Sequence, residues 1–201
     1  MNATVLNGAL PGDAFLDEVQ DLVVELLGEE GFRVRPWVLR EEKVGYCMGC
    51  FECWTATPGL CRIPDAGRDV AASLIRSDLA VCLTPVTFGG YSSELKKAVD
   101  RTICLISPFF KVIGGEVHHH RRYRRYPALL GIGVLPGPHA GQERIFGELI
   151  ERHAINMHAP RRAHAVFYRN QAAAEIRTSL AVLLDAVGMA DRETQKMEAS
   201  A

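Results

Sequence analysis

The sequence has no excess of charge of either sign. Lys and Arg number 23 against 24 Asp and Glu in 201 residues, a formal net charge of −1. That removes the electrostatic argument for nucleic acid or an acidic membrane surface as a partner. No apolar run reaches the roughly eighteen residues that cross a bilayer, so no membrane-spanning helix is expected. The opening Met-Asn-Ala-Thr-Val-Leu-Asn-Gly lacks the basic-then-apolar order of a secretory signal. A Ser-His-Asp order, paired carboxylates in an obvious cleft and a lysine-nucleophile motif are all missing, so hydrolase and phosphotransfer chemistry have little support. Cysteine is scarce too: six in the chain, far below the density of a disulfide scaffold. Without a secretory signal, clustered thiols fit a reducing compartment, and a cytoplasmic location is expected.

What cysteine there is lies together. Cys47, Cys50, Cys53 and Cys61 are spaced C-x2-C-x2-C-x7-C. Three thiols at a two-residue spacing can face inward when a loop curls round a compact object. The fourth, past a Thr-Pro-Gly turn, can close the set from the other side. Iron–sulfur clusters are held by four thiolates in this way, and ferredoxin-type runs share the overlapping start. A structural zinc site more often joins two separate C-x2-C knuckles. Free or redox-active thiols are the third reading.

The rest of the chain alternates strand and helix. Residues 3–7, 32–39, 78–84, 128–135 and 163–168 read as strands. Helices are expected over 13–28, 65–77, 92–105, 141–157 and 171–187, with Asp13, Asp65 and Ser92 or Ser93 placed to cap the first three. Residues 106–126 read as irregular. Cys82 in a strand and Cys104 on an apolar helix read as small core residues. Asp100 and Arg101 read as a local surface ion pair. Glu94, Lys96 and Lys97 read as a solvated face.

Five strands alternating with helices imply an α/β fold, a doubly wound five-stranded parallel sheet of flavodoxin-like order 2-1-3-4-5. One domain over residues 1–190 is expected, with a cysteine-rich loop at 40–65 and a polar tail at 191–201. Ligands of such sheets bind outside the carboxyl ends of the strands, at the switch point. The loops there are Asn7–Asp13 and Pro85–Ser92, and the cysteine loop opens on the same edge.

Three segments carry a resemblance: Val5-Leu-Asn-Gly8; Cys47 to Cys61; and Thr84-Pro-Val-Thr-Phe-Gly-Gly-Tyr-Ser-Ser-Glu-Leu-Lys-Lys-Ala-Val-Asp-Arg101. With them the chain resembles the flavodoxin-like NAD(P)H-dependent FMN reductases, and more closely their iron–sulfur flavoprotein relatives. The resemblance implies FMN at the switch point, hydride from NAD(P)H, an unidentified electron acceptor, and a homodimer or homotetramer. It implies a flavin site of Asn7, Gly8, Ala9 and Asp13 with Pro85, Val86, Thr87, Phe88, Gly89, Gly90 and Tyr91, and a [4Fe-4S] cluster on Cys47, Cys50, Cys53 and Cys61. Backbone N–H groups of the second loop would meet the ring, with Phe88 or Tyr91 as its wall.

The first loop departs from the family pattern. Asn7-Gly-Ala-Leu-Pro-Gly-Asp-Ala14 offers few hydroxyls and no cation. Pro11 has no N–H, and Asp13 turned inward would repel a phosphate. Two alternatives therefore stand beside the leading one: an FMN reductase whose cysteines hold no cluster, and a flavin-free binding module of the same fold. The tract His118-His-His-Arg-Arg-Tyr-Arg-Arg-Tyr126 reads as a solvated or subunit-contacting excursion, or as an anion site for the phosphates of NAD(P)H.

Overall fold

The computed structural model describes residues 1–188; the polar tail expected from residue 191 lies outside them. The chain runs β1 (Asn2–Asn7), α1 (Ala14–Glu29), β2 (Arg33–Val38), α2 (Glu52–Thr55), α3 (Ala66–Ile75), β3 (Leu79–Pro85), α4 (Ser93–Arg101) and β4 (Ile106–Ile113). It continues with β5 (Glu116–Arg121), β6 (Ala128–Leu135), α5 (Ala140–Asn156), β7 (Arg162–Tyr168) and α6 (Ala173–Gly188). Five strands form a parallel sheet in the order β2-β1-β3-β6-β7. With β4 and β5 set aside, this is the flavodoxin-like order 2-1-3-4-5. Among the described residues no helix is long and apolar enough to cross a membrane.

The three central strands are apolar almost throughout because both their faces are covered. Alternate residues serve opposite layers. Ala3, Val5, Leu79, Val81, Leu83, Leu130 and Ile132 meet α1 and α6 on one side. Leu6, Ala80, Cys82 and Leu129 meet α3, α4 and α5 on the other. The edge strand β2 carries Arg33, Arg35 and Pro36, and a proline lacking its N–H is tolerated where one side of the strand is unpaired.

On β6 two of the positions facing α5, Gly131 and Gly133, are glycines. A Cβ at Gly131 would lie 2.3 Å from Ile150 Cδ1, and one at Gly133 would lie 3.0 Å from Phe146 Cε1. The helix is seated that close because nothing stands between. Gly131→Ala is expected to destabilise the protein by about 1–3 kcal/mol through overpacking. The urea midpoint is the measurement, and an unchanged midpoint would show that Ile150 yields freely.

The segment expected to be irregular holds an antiparallel hairpin, β4–β5. It turns at Gly114–Gly115, both at positive φ (58° and 88°), as a two-residue hairpin turn of this hand requires. Its apolar side chains Phe109, Phe110, Val112 and Val117 are exposed. No buried face imposed an alternation that the sequence could display. The third expected helix, 92–105, also ends early: α4 stops at Arg101 and a 3-10 turn covers Thr102–Leu105.

Candidate functional site

At the switch point the two loops are tied to each other through Ser92. Its hydroxyl donates to Gly8 O at 2.6 Å, its N–H donates to Thr84 Oγ1 at 2.9 Å, and it caps α4 by accepting from Leu95 N–H. Gly8 has no room for a side chain: a Cβ there would lie 2.6 Å from Leu95 Cβ. Asn7 is fully buried. Its Oδ1 accepts from Ala9 N–H at 2.8 Å, and its Nδ2 donates to Asp17. It shapes the loop from behind.

In the second loop Val86 N–H continues the sheet to Val134 O. Thr87 and Gly90 close a tight turn with bonds of 3.0 and 2.8 Å, and Gly89 N–H reaches Gln142 Oε1 at 3.3 Å. Phe88 N–H makes no hydrogen bond among the described residues. Its ring is 92% exposed on a backbone at φ 51°. Pro85 ends β3. Tyr91 turns inward instead, its hydroxyl 2.7 Å from His153 Nδ1. Burial pushes that imidazole down to about 4 and the phenol well up, so the pair is a neutral hydrogen bond at pH 7. Phe88 therefore faces solvent as a candidate ring wall, whereas Tyr91 is a buttress.

Asp13 caps α1, accepting from Leu16 N–H at 3.4 Å. It is clamped by Arg169, whose two terminal nitrogens each donate to one carboxylate oxygen at 2.7 Å. Burial alone would raise its pKa. The hydrogen bonds and charge of Arg169, aided by Leu16 N–H and Arg40, hold it below the ordinary carboxylate value. Arg40 itself forks onto Asp17 at 2.9 Å. The first loop thus has cations after all, delivered from just past β2 and β7. The N–H groups of Leu10 and Gly12 have no acceptor among the described residues. These donors and Arg169 suit the anionic end of a flavin nucleotide. The Asp13 carboxylate opposes it and already holds the helix N-terminus.

The cysteine loop is built separately. Cys47 and Cys50 are exposed, Cys53 is buried by the short α2, Cys61 is half-buried, and all six cysteines are free. Trp54 anchors the loop to the turn after α4, Nε1 donating to Ile103 O and Ile106 O at 3.0 Å each. Arg68 Nε donates to Cys61 O at 2.7 Å. The four cysteines line one small pocket with Ile63, Ile103 and Arg101. Burial, then the neighbouring Cys61, Cys47 and Cys50, raise the Cys53 thiol. Among the described residues no group of three or more Cys, His, Asp or Glu side chains is arranged to hold a single metal ion.

Arg101 is the residue that sequence reasoning misplaced. It is 1% exposed and does not pair with Asp100, which is bound by Lys96. A local surface pair was expected from adjacency, but the side chain enters the protein at the end of α4. There Nη1 donates to Gly45 O (3.0 Å) and Asp65 Oδ2 (2.9 Å), and Nη2 donates to Ile63 O (3.2 Å) and Asp65 Oδ1 (2.8 Å). A guanidinium has five N–H donors; four are thereby satisfied, and Nε is buried without a partner. The orphan donor belongs to a side chain that lines the cysteine pocket. Four thiols and an unpaired cationic N–H suit a thiolate-held, anionic centre in kind.

The cysteine loop leaves the expected sheet edge after β2, yet its pocket lies beside the far end of α4 from Ser92. No residue of the Asn7–Asp13 or Pro85–Tyr91 loops lines that pocket, and its Arg101 closes a helix of nine residues, about 13 Å long. Other expectations fare variously. Cys82 and Cys104 are core residues, both pushed up to about 12 by burial. Lys97 and Glu94 pair with each other at 2.9 Å and are largely buried, so that part of the α4 face is not simply solvated. His119 lies between Trp54 and Phe110, while His118 pairs with Glu116. The basic tract rims a groove of about 980 Å³ with Arg68, Arg76, Arg121, Arg124 and Arg125. That groove reaches Asp78 at the amino end of β3, away from the switch-point loops.

Residues 1–167 match the family of NADPH-dependent FMN reductases. An iron-sulfur flavoprotein of Methanocaldococcus jannaschii is 31% identical over 91 residues, 45% of this chain and 46% of that one. An iron-sulfur flavoprotein of Archaeoglobus fulgidus is 29% identical over 94 residues, 47% of each chain. The matches thus span about half the length of these relatives. In fold, the NAD(P)H:quinone oxidoreductase of Methanothermobacter marburgensis superposes with a TM-score of 0.63 at 12% identity, covering 90% of this chain and 91% of that one.

Proposed function

Because the chain belongs to the NADPH-dependent FMN reductase family, we propose that it is an FMN-dependent oxidoreductase drawing on NAD(P)H, with an iron–sulfur centre of [4Fe-4S] type on Cys47, Cys50, Cys53 and Cys61. The observation that carries the second half is the pocket in which those four free cysteines meet a buried arginine with an unspent donor. When bound, FMN supplies two-electron hydride chemistry and a cluster supplies one-electron transfer. The protein's part is binding and orientation. Phe88 offers its N–H and ring at the loop tip, and the Thr87–Gly90 turn holds that tip rigid against α5. Asn7, Gly8 and Ala9 shape the first loop, and Leu10, Gly12 and Arg169 receive the phosphate. The exposed apolar hairpin β4–β5 supports assembly into a homodimer or homotetramer, since an isolated two-stranded hairpin is marginal in water. The electron acceptor is unidentified.

Protein purified without oxygen tests the reading. Flavin bands over a broad visible absorption, with iron and acid-labile sulfide both bound, are expected. Flavin with no iron would instead favour a reductase working with free thiols, a reading that the exposed Cys47 and Cys50 support. A colourless protein that takes up no FMN would remove the enzyme reading.

The phosphate end gives a signed prediction. Asp13→Asn keeps a capping oxygen but removes a like charge, and it is expected to tighten FMN roughly tenfold. Arg169→Ala is expected to weaken FMN by about tenfold to a hundredfold, the worth of hydrogen bonds to a charged group. Riboflavin, lacking the phosphate, is expected to respond to neither. Fluorescence titration with both flavins measures this, and parallel changes for the two flavins would place the phosphate elsewhere.

A further inference from the structure

We infer that Arg101 is the positioning and charge-compensating residue of the cysteine pocket: its unpaired Nε–H is held for a sulfur of the bound centre. The inference rests on the proposal that the four cysteines hold an iron–sulfur cluster, and it assigns a residue outside the cysteine motif to that site.

The geometry separates two tasks within one side chain. Its four terminal N–H bonds clasp the loop, at Gly45 O and Ile63 O on either side of the cysteines and at Asp65. The Nε–H is then left buried with no acceptor in hydrogen-bond geometry, although the Cys61 thiol lies close enough to the guanidinium to act on it through a hydrogen bond and charge. A buried charged donor without an acceptor costs stability, so an orphan in an otherwise saturated guanidinium points to a sulfur acceptor, the Cys61 thiolate or a sulfide of the bound centre. Thiolate and inorganic sulfide are acceptors of the right sign. Asp65 does not line the cysteine pocket, whereas Arg101 does. The cation therefore stands nearer the sulfurs than its counter-charge does. Cys61 is among the groups that favour the charged guanidinium, after the hydrogen bond with Asp65 and against the opposing effect of burial.

Net charge and hydrogen bonds to sulfur set the potential of such a centre. One-electron reduction adds one negative charge, with no bond broken and no proton moved. A cation close by favours the reduced form.

The test is a redox titration of the anaerobically reconstituted full chain, reduced with dithionite through mediators and followed by visible absorption and electron paramagnetic resonance. Arg101→Gln is expected to shift the midpoint to more negative values by at least a tenfold change in the reduced-to-oxidised ratio, about 59 mV for one electron. Asp65→Asn removes the counter-charge and is expected to shift it the other way. Arg101→Lys keeps a cation but loses the fork and Nε–H; its expected midpoint lies between wild type and Arg101→Gln, and it serves if Arg101→Gln does not fold. A merely structural role would lower the cluster content and the melting temperature yet leave the midpoint of the loaded fraction unmoved. Midpoints equal to wild type, or shifts of the same sign in Arg101→Gln and Asp65→Asn, overturn this inference alone. A wild-type chain that binds neither iron nor sulfide overturns it together with the cluster reading.

Discussion

Asp65→Asn is expected to destabilise the protein by about 3–5 kcal/mol, the usual result of removing one partner of a buried ion pair. For a chain of this size that is roughly 6–20 °C in Tm. The wild-type carboxylate accepts from both terminal nitrogens of Arg101, from Gly45 N–H at 2.8 Å and from Gly67 N–H at 3.0 Å as the cap of α3. The amide can keep the cap, but it leaves a guanidinium charge buried opposite a neutral group. The dependence on pH has a definite sign. Burial would raise the Asp65 pKa, but the hydrogen bond from Arg101 and those from the backbone outweigh it, and the group is held below its ordinary value. Its stabilisation is therefore complete above the unfolded carboxylate pKa of about 4. It is lost as pH falls through the lower folded value. Thermal melts at pH 7 should show the full gap between wild type and variant, and the gap should close in strong acid. A difference of less than about 2 °C at pH 7, or one that is flat with pH, would mean that the pair is worth little here.

Cys50→Ser carries the other large effect. Cys50 is exposed and central in the motif, so its loss does not open the core, and the fold is expected to survive with an unchanged far-ultraviolet circular dichroism spectrum. The visible absorption beyond the flavin bands and the bound sulfide should fall to background, because a cluster needs all four thiolates. The flavin bands should remain, since no residue of the Asn7–Asp13 and Pro85–Tyr91 loops lines the cysteine pocket. Simultaneous loss of flavin would mean that the two centres depend on one another. Retention of iron and sulfide would remove Cys50 from the ligand set.

The sheet was legible because its signals are local. Mostly apolar runs at β1, β3 and β6 announce strands covered on both faces, and Asp13, Asp65 and Ser92 each cap the helix expected of them. The cysteine pocket was legible as a grouping for the same reason, its four members falling in one short segment. What could not be read is what only folding brings together. Arg169 meets Asp13 across 156 residues, and Arg101 meets Asp65 across 36. Adjacency favoured the wrong partner for Arg101, and Arg169 lies just past the last residue matched to the family. The hairpin β4–β5 was hidden because its apolar residues face outward; Gly114–Gly115 was the one signal that could have revealed it.

The clasp formed by Arg101 has a consequence for assembly. By gripping the backbone at residues 45 and 63 it closes the cysteine-bearing ring within the polypeptide itself. In small zinc modules the ion is the keystone and the unloaded chain is a coil. Here the entropy of ring closure is met by a guanidinium and a carboxylate. On the cluster reading, the receptacle is expected to stand before it is filled, and removing the cluster is expected to leave the sheet beneath it folded.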